Sequence, residues 1–248
     1  MFSNQACRKN GKNGIPPAPD TQIVYPLDSD TLNNALITCQ WTGYDNAEEF
    51  RFKLDSNTWS AWKSDTSATV FLDEGMHTLI VTSRETEFNR EDLTPDSIAF
   101  YIDAISGPAL WIKKREIETT VSQPVSFTVL AEDVRDLMLG YIELTYDNAK
   151  IKIDSISPEE DFLTMNGGEI QMITEHADSL PYAKVTFGII GGVPKGVSGT
   201  GSLFTVNFLL KSPDSTIIGF SASTNLRDTV NTTISLTGMW SCIIIPSE

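Results

Sequence analysis

Histidine is nearly absent from this chain of 248 residues, which holds two, His77 and His176. A histidine-based catalytic triad or a histidine-rich metal site therefore has little to draw on. His77 leaves a Gly-Met-His-Thr turn and reads as a structural hydrogen-bonding residue. His176 lies close to Glu175 and Asp178, but neighbouring residues of a strand face opposite sides, so no relay is implied. Cysteine is scarce too. Cys7, Cys39 and Cys242 are an odd number without metal-type spacing, which excludes reading a disulfide framework or a zinc site from them. Cys39 and Cys242 sit inside apolar β-patterns and are expected to be buried and inert.

Positive charge is also in deficit, since 18 Lys and Arg face 33 Asp and Glu for a formal net charge of −15. Nucleic acid and anionic membranes would be repelled. No apolar run approaches the roughly 20 residues of a membrane-spanning helix. Helical periodicity is hard to find, and the chain contains no internal repeat. Glycine-rich tracts, Asn166-Gly167-Gly168 and Gly188 to Gly201, lack the Lys-Ser/Thr ending of a phosphate loop. Acidic clusters at Asp28-Ser29-Asp30 and Glu159-Glu160-Asp161 lack EF-hand spacing and read as solvated turns. Neither a metal nor another cofactor is expected.

What the chain has in quantity is short-period alternation. Residues 36–42, 49–54, 68–72, 76–83 and 97–103 alternate apolar and polar positions and are separated by Asp, Asn, Gly and Pro turns. That pattern predicts an all-β protein, and the length suits two sandwich domains. Ile105-Ser106-Gly107-Pro108 interrupts the strands and marks a short joint, placing the domains at residues 20–105 and 108–248. Both are acidic, with net charges of −11 over residues 17–105 and −7 over residues 106–248. Residues 1–19 contain Arg8-Lys9-Asn10-Gly11-Lys12-Asn13-Gly14 and read as a flexible tether. Cys7 heads this tether and resembles the lipid-modified cysteine of a bacterial lipoprotein, although Met1 to Ala6 holds no apolar signal region. The alternatives are lipidation in a chain that starts further upstream and an ordinary cysteine in a tail.

Aromatic residues raise a carbohydrate possibility. Trp59 and Trp62 are three apart in a strand-like segment, so without a bulge one faces the core and the other is exposed and able to stack on a sugar. Trp41, Trp111 and Trp240 lie within apolar strands and are expected to pack in a core or between domains.

Two resemblances organise these segments. Phe50-Arg51-Phe52-Lys53-Leu54-Asp55, Trp59-Ser60-Ala61-Trp62, Leu72-Asp73-Glu74-Gly75-Met76-His77-Thr78-Leu79 and Phe100-Tyr101-Ile102-Asp103 are similar to the immunoglobulin-like modules of bacterial surface proteins. Further along come Phe127 to Val134, then Gly140-Tyr141-Ile142-Glu143-Leu144-Thr145-Tyr146-Asp147. They are followed by Ile151 to Phe162, an alternating strand running into an acidic turn, and by Gly199-Thr200-Gly201-Ser202-Leu203-Phe204-Thr205-Val206-Asn207-Phe208. In that order the segments resemble the cohesin family over roughly the last 140 residues.

The resemblance implies a jelly-roll sandwich that catalyses nothing and captures a dockerin domain on another protein, any calcium belonging to the dockerin. It also implies a binding face built from strands matching residues 139–146, 170–175, 182–188 and 202–210. Along these strands Ile142, Leu144, Tyr146, Ala183, Val185, Phe187, Phe204, Val206 and Phe208 are expected to point inward. The candidate partner-binding residues are then Tyr141, Glu143, Thr145, Lys184, Thr186, Thr205 and Asn207. The function so implied is a secreted or cell-surface scaffold that presents one cohesin-like module to a dockerin-bearing protein, such as an enzyme of polysaccharide breakdown. The alternative is a carbohydrate-binding or adhesin-type sandwich that recognises glycans directly.

Overall fold

The computed structural model describes residues 17–193 and 195–247, so Cys7 and most of the expected tether lie outside the described residues. The chain divides into two compact units, one up to Ala104 and one from Ile105 onward. Both are β-sandwiches, which is the all-β architecture expected from the alternation.

In the first unit β1 (Asp20–Tyr25), β2 (Thr31–Leu32), β3 (Leu36–Tyr44) and β4 (Glu49–Leu54) are followed by β5 (Ser67–Phe71), β6 (Gly75–Glu85), β7 (Arg90–Glu91) and β8 (Asp96–Ile102). They form one sheet of order β1-β3-β5 and a second of order β2-β8-β6-β4, with β7 paired to β6. Period-two alternation sorts the side chains. Along β3, Ile37, Cys39 and Trp41 are buried, while Leu36, Thr38 and Gln40 between them are exposed. Phe50, Leu79, Val81 and Phe100 of the opposite sheet close the same core. Burial pushes the Cys39 thiol up to about 11, so it stays protonated and unreactive at neutral pH.

Trp59 and Trp62 depart from the expected alternation because residues 57–62 are not a strand, and no pleat separates the two rings. Both are half-buried, and neither is a core residue. The Arg51 guanidinium lies 4.9 Å from the Trp59 ring centre and 4.4 Å from that of Trp62. Lys53 stacks on Trp59 at 5.2 Å and Arg84 on Trp62 at 4.7 Å. Cations already occupy these rings, which makes them a packing ladder rather than a free sugar platform.

In the second unit β9 (Ala109–Ile112), β10 (Glu116–Thr119), β11 (Pro124–Thr145) and β12 (Ile151–Pro158) precede a four-residue helix, α1 (Glu160–Leu163). The acidic run from Glu159 opens this helical turn, with Glu160 and Asp161 exposed. Next come β13 (Gly168–His176), β14 (Tyr182–Gly191), β15 (Val197–Leu210) and β16 (Thr216–Phe220). The last strands are β17 (Asn225–Asp228), β18 (Thr233–Ile234), β19 (Gly238–Trp240) and β20 (Cys242–Pro246).

The 22-residue β11 serves both layers of this sandwich. Its first part pairs with β15 on one side and β9 on the other. Its last part pairs with β14 on one side and with β16 and β17 on the other. Between them the register slips after Ala131 and again after Val134. Asp133 and Asp136 adopt φ of 47° and 54° there, a left-handed conformation in which Asp is enriched. Their freed amides are not left bare: Asp133 N–H donates to Thr200 Oγ1 at 3.1 Å and Asp136 N–H to Ser198 Oγ at 2.9 Å. Bulges bend and twist a strand, and here they carry one chain from the first layer into the second.

Phe127 and Val129 from the first part of β11 and Ile142 and Leu144 from the last part enter one common core with Val185, Phe187, Val206 and Phe208. A Cβ on Gly140 would lie 2.2 Å from the Phe187 ring, so only glycine lets that ring come so close to the β11 backbone. Tyr146 is buried at the end of this layer and donates to the Tyr182 carbonyl at 3.1 Å. Burial first, and Asp178 second, push its phenol up to about 12. A raised phenol favours the folded state fully below the ordinary tyrosine value of 10, and that contribution is lost as pH climbs through 12. Stability is therefore expected to fall by about 2 kcal/mol between pH 10 and pH 12 on this account. Urea titrations across that window check it, and Tyr146→Phe should flatten the decline.

Candidate functional site

The outer face of the layer formed by β13, β14, the end of β11 and β17 gathers most of the residues singled out above. Cross-strand register defines its rows. Ile173 faces Thr186, Thr186 faces Tyr141, and Tyr141 faces Asn225. One row over, Gln171, Gly188, Leu139 and Arg227 stand side by side. In the opposite direction Glu175, Lys184 and Glu143 line up, and beyond them Tyr182 faces Thr145.

The two ends of this face differ in chemistry. Toward one end Ile173 is 75% exposed, Ile190 59% and Leu139 38%, an aliphatic group around the small Gly188 interspersed with Gln171, Arg227 and, opposite Ile190, the exposed Glu169. At the other end the polar side chains are bonded to one another. Tyr141 Oη donates to Glu143 Oε2 at 2.9 Å. Glu175 accepts from Lys184 Nζ and from Tyr182 Oη, both at 3.3 Å, and the Lys184 ammonium lies 4.3 Å from the Tyr182 ring centre. Its hydrogen bond to Glu143 and then desolvation raise the Tyr141 phenol above its ordinary value. The hydrogen bond to Glu175 raises the Lys184 ammonium. The lysine stays charged and the tyrosine neutral across the physiological range. The Glu143 amide also donates to Thr224 Oγ1 at 3.1 Å, which ties the turn before β17 to the middle of the face.

Five of the seven candidate residues, Tyr141, Glu143, Thr145, Lys184 and Thr186, share this face. Thr205 and Asn207 do not. They belong to β15, which pairs with the first part of β11 and with β12 in the other layer. Thr205 donates to Glu159 Oε1 at 2.7 Å, and Asn207 donates to Ser155 Oγ at 3.0 Å. Because both layers bury their inner sides in one core, these two point away from the other five. The strand beside the end of β11 is β17, not residues 202–210. The face thereby gains Asn225 and Arg227, and also Leu139, Ile173, Glu175 and Tyr182, none of which was singled out. Alternation could have found the outward side of β13; nothing local announces that β17 pairs with β11.

Elsewhere the polar candidates have structural partners. The His77 ring lies 2.9 Å from Asp55 Oδ2 and 2.8 Å from the Asp73 carbonyl. Asp28 accepts the Ala99 amide at 2.9 Å and Asp30 the Leu27 amide at 2.8 Å, so both shape turns. Among the described residues no group of three or more His, Cys, Asp or Glu is placed to hold a metal ion.

No protein-family model matches this sequence, and no curated protein does. Among solved structures, the chain is similar to a protein from Clostridium acetobutylicum determined in solution, with 16% identity and a TM-score of 0.47, over 57% of this chain and 96% of that one. It is also similar to a cohesin module of a family 33 glycoside hydrolase from Clostridium perfringens, at 13% identity and a TM-score of 0.45, over 56% and 97%. A type I cohesin–dockerin complex from Clostridium thermocellum contains a chain similar at 11% identity and a TM-score of 0.45, over 56% and 99%.

Proposed function

We propose that the unit from Ile105 onward captures a dockerin-bearing protein on the β13-β14-β11-β17 face, in a chain that acts as a non-catalytic adaptor. The cohesin-like order of segments supports this reading, and the composition of the face carries it. An aliphatic end beside a polar end whose side chains are already hydrogen-bonded supplies anchors and orientation on one surface. Protein interfaces concentrate their energy in such few anchors, surrounded by satisfied polar groups. The first unit then serves as an immunoglobulin-like spacer.

In the same reading the chain works outside the cell or on a bacterial surface, held by a lipid on Cys7, and its partner is a secreted enzyme acting on polysaccharide. These statements rest on the family resemblance and on the acidic, β-rich composition. Calorimetric titration of the purified chain with dockerin modules from the source organism's secreted enzymes, in calcium-containing buffer, tests the proposal. Saturable one-to-one binding by at least one module is expected. Absence of binding by all of them, together with polysaccharide hydrolysis by the chain alone, would overturn it.

A further inference from the structure

The two outer faces of the first unit are chemically unlike. Outside β4 and β6 lie Arg51, Lys53 and Arg84 with the tryptophans stacked on them. Outside β1, β3 and β5 the middle of the face carries no charge among the described residues, in a segment whose net charge is −11 over residues 17–105. Thr38 faces Thr69, and their hydroxyls are hydrogen-bonded at 2.9 Å. Gln40 faces Ser67, and Thr42 faces Gln22. Tyr44 Oη donates to Gln22 Oε1 at 3.0 Å. Exposed rings border this array, with Tyr25 and Tyr44 toward β1 and Phe71 at the far end of β5. Where β1 slips register between Ile23 and Tyr25, a recess of about 310 Å³ is lined by Val24, Gln40, Trp41, Thr66 and Ser67.

We propose that this face binds a neutral glycan, an uncharged chain of sugar residues laid across β3 with one residue seated in the recess. Hydroxyl and amide side chains each donate and accept, and sugar hydroxyls require both roles at every position. The recess has the volume of a small-ligand cleft, at the lower end of that class. Charge selects against other occupants. Among the described residues this face offers no cation, and in a segment of net charge −11 that disfavours uronates, sulfated sugars, nucleic acid and anionic lipid. A protein partner would look for a broad apolar anchor, whereas here Leu36 and Phe71 are paired at one end and Val24 is a single exposed aliphatic side chain beside the recess.

The site is independent of the dockerin reading, since it lies on other residues in the other unit. Affinity electrophoresis of the full chain through gels containing xyloglucan, mixed-linkage β-glucan or galactomannan tests it, with polygalacturonate as the anionic control. Retardation is expected in at least one neutral polymer and not in polygalacturonate. The double variant Gln40→Ala, Ser67→Ala should lose that retardation at least tenfold in Kd with an unchanged melting temperature, and Tyr141→Ala should retain it. No retardation by any neutral polymer overturns the proposal, as does equal retardation by polygalacturonate or by the double variant. Concentration-dependent sedimentation that Gln40→Ala, Ser67→Ala abolishes would instead make this face a contact between copies, and would overturn it as well.

Discussion

Phe208→Ala should lower the stability of the second unit by about 3–5 kcal/mol, the cost of deleting a buried aromatic and leaving its cavity. Phe208 is fully buried, and its ring stands 5.7 Å from that of Phe127 at an angle of 56°. Its strand neighbours are Val125 on β11 and Ile153 on β12, so the ring sits where three strands converge on one core. Those strands hold each other in register and limit how far the cavity can collapse, which argues for the upper half of the range. Asn207 is one residue away and exposed on the outer side, and Asn207→Ala should stay within about 0.5 kcal/mol of the parent. Urea denaturation of both variants decides the matter, with equal slopes and displaced midpoints as the signature of a pure stability change. A stable Phe208→Ala beside an unfolded Asn207→Ala would mean that the facing of β15 is reversed.

Ile173→Asp should weaken capture of a dockerin module by about 30-fold or more, because it places a charge in the aliphatic end that the partner must dehydrate. With Ile173 three-quarters exposed in the free chain, its folding stability should hardly change. Tyr141→Ala removes the ring in the middle of the same face together with its bond to Glu143, and a loss of about five- to 30-fold is expected. Asn207→Ala serves as the control, since Asn207 faces out of the other layer and its loss should leave affinity unchanged. Titration of these three variants against one dockerin module tests the face as a whole. Loss of binding in Asn207→Ala with full binding in Ile173→Asp would move the interface to the β12-β15 layer.

Much of the fold was legible because alternation is a local property. The pleat forces neighbouring residues to opposite sides, so Ile142 and Leu144 could be separated from Tyr141 and Glu143, and Val206 and Phe208 from Asn207, by reading along the chain. Tertiary pairing is not local in that sense. Tyr141 and Asn207 both face outward, yet they stand on opposite layers because β11 carries two bulges at Asp133 and Asp136 and changes sheets between them. Those aspartates look like ordinary polar residues in a strand, and only the left-handed backbone they adopt shows where the chain turns. The same holds for Trp59 and Trp62, whose three-residue spacing separates them in a strand and unites them here around Arg51.

By itself, then, the sequence determined that this protein is all-β and acidic, and which side is wet on the strands that hold Ile142, Val185 and Phe208. Local chemistry sets all of these, through side-chain period, charge and turn residues. Which wet residues are neighbours was decided only by the tertiary structure. That depends on strand pairs more than 80 residues apart, such as Tyr141 with Asn225. Such contacts form because two layers must share one core, and the free energy of closing that core is a property of the whole sandwich that no single segment carries.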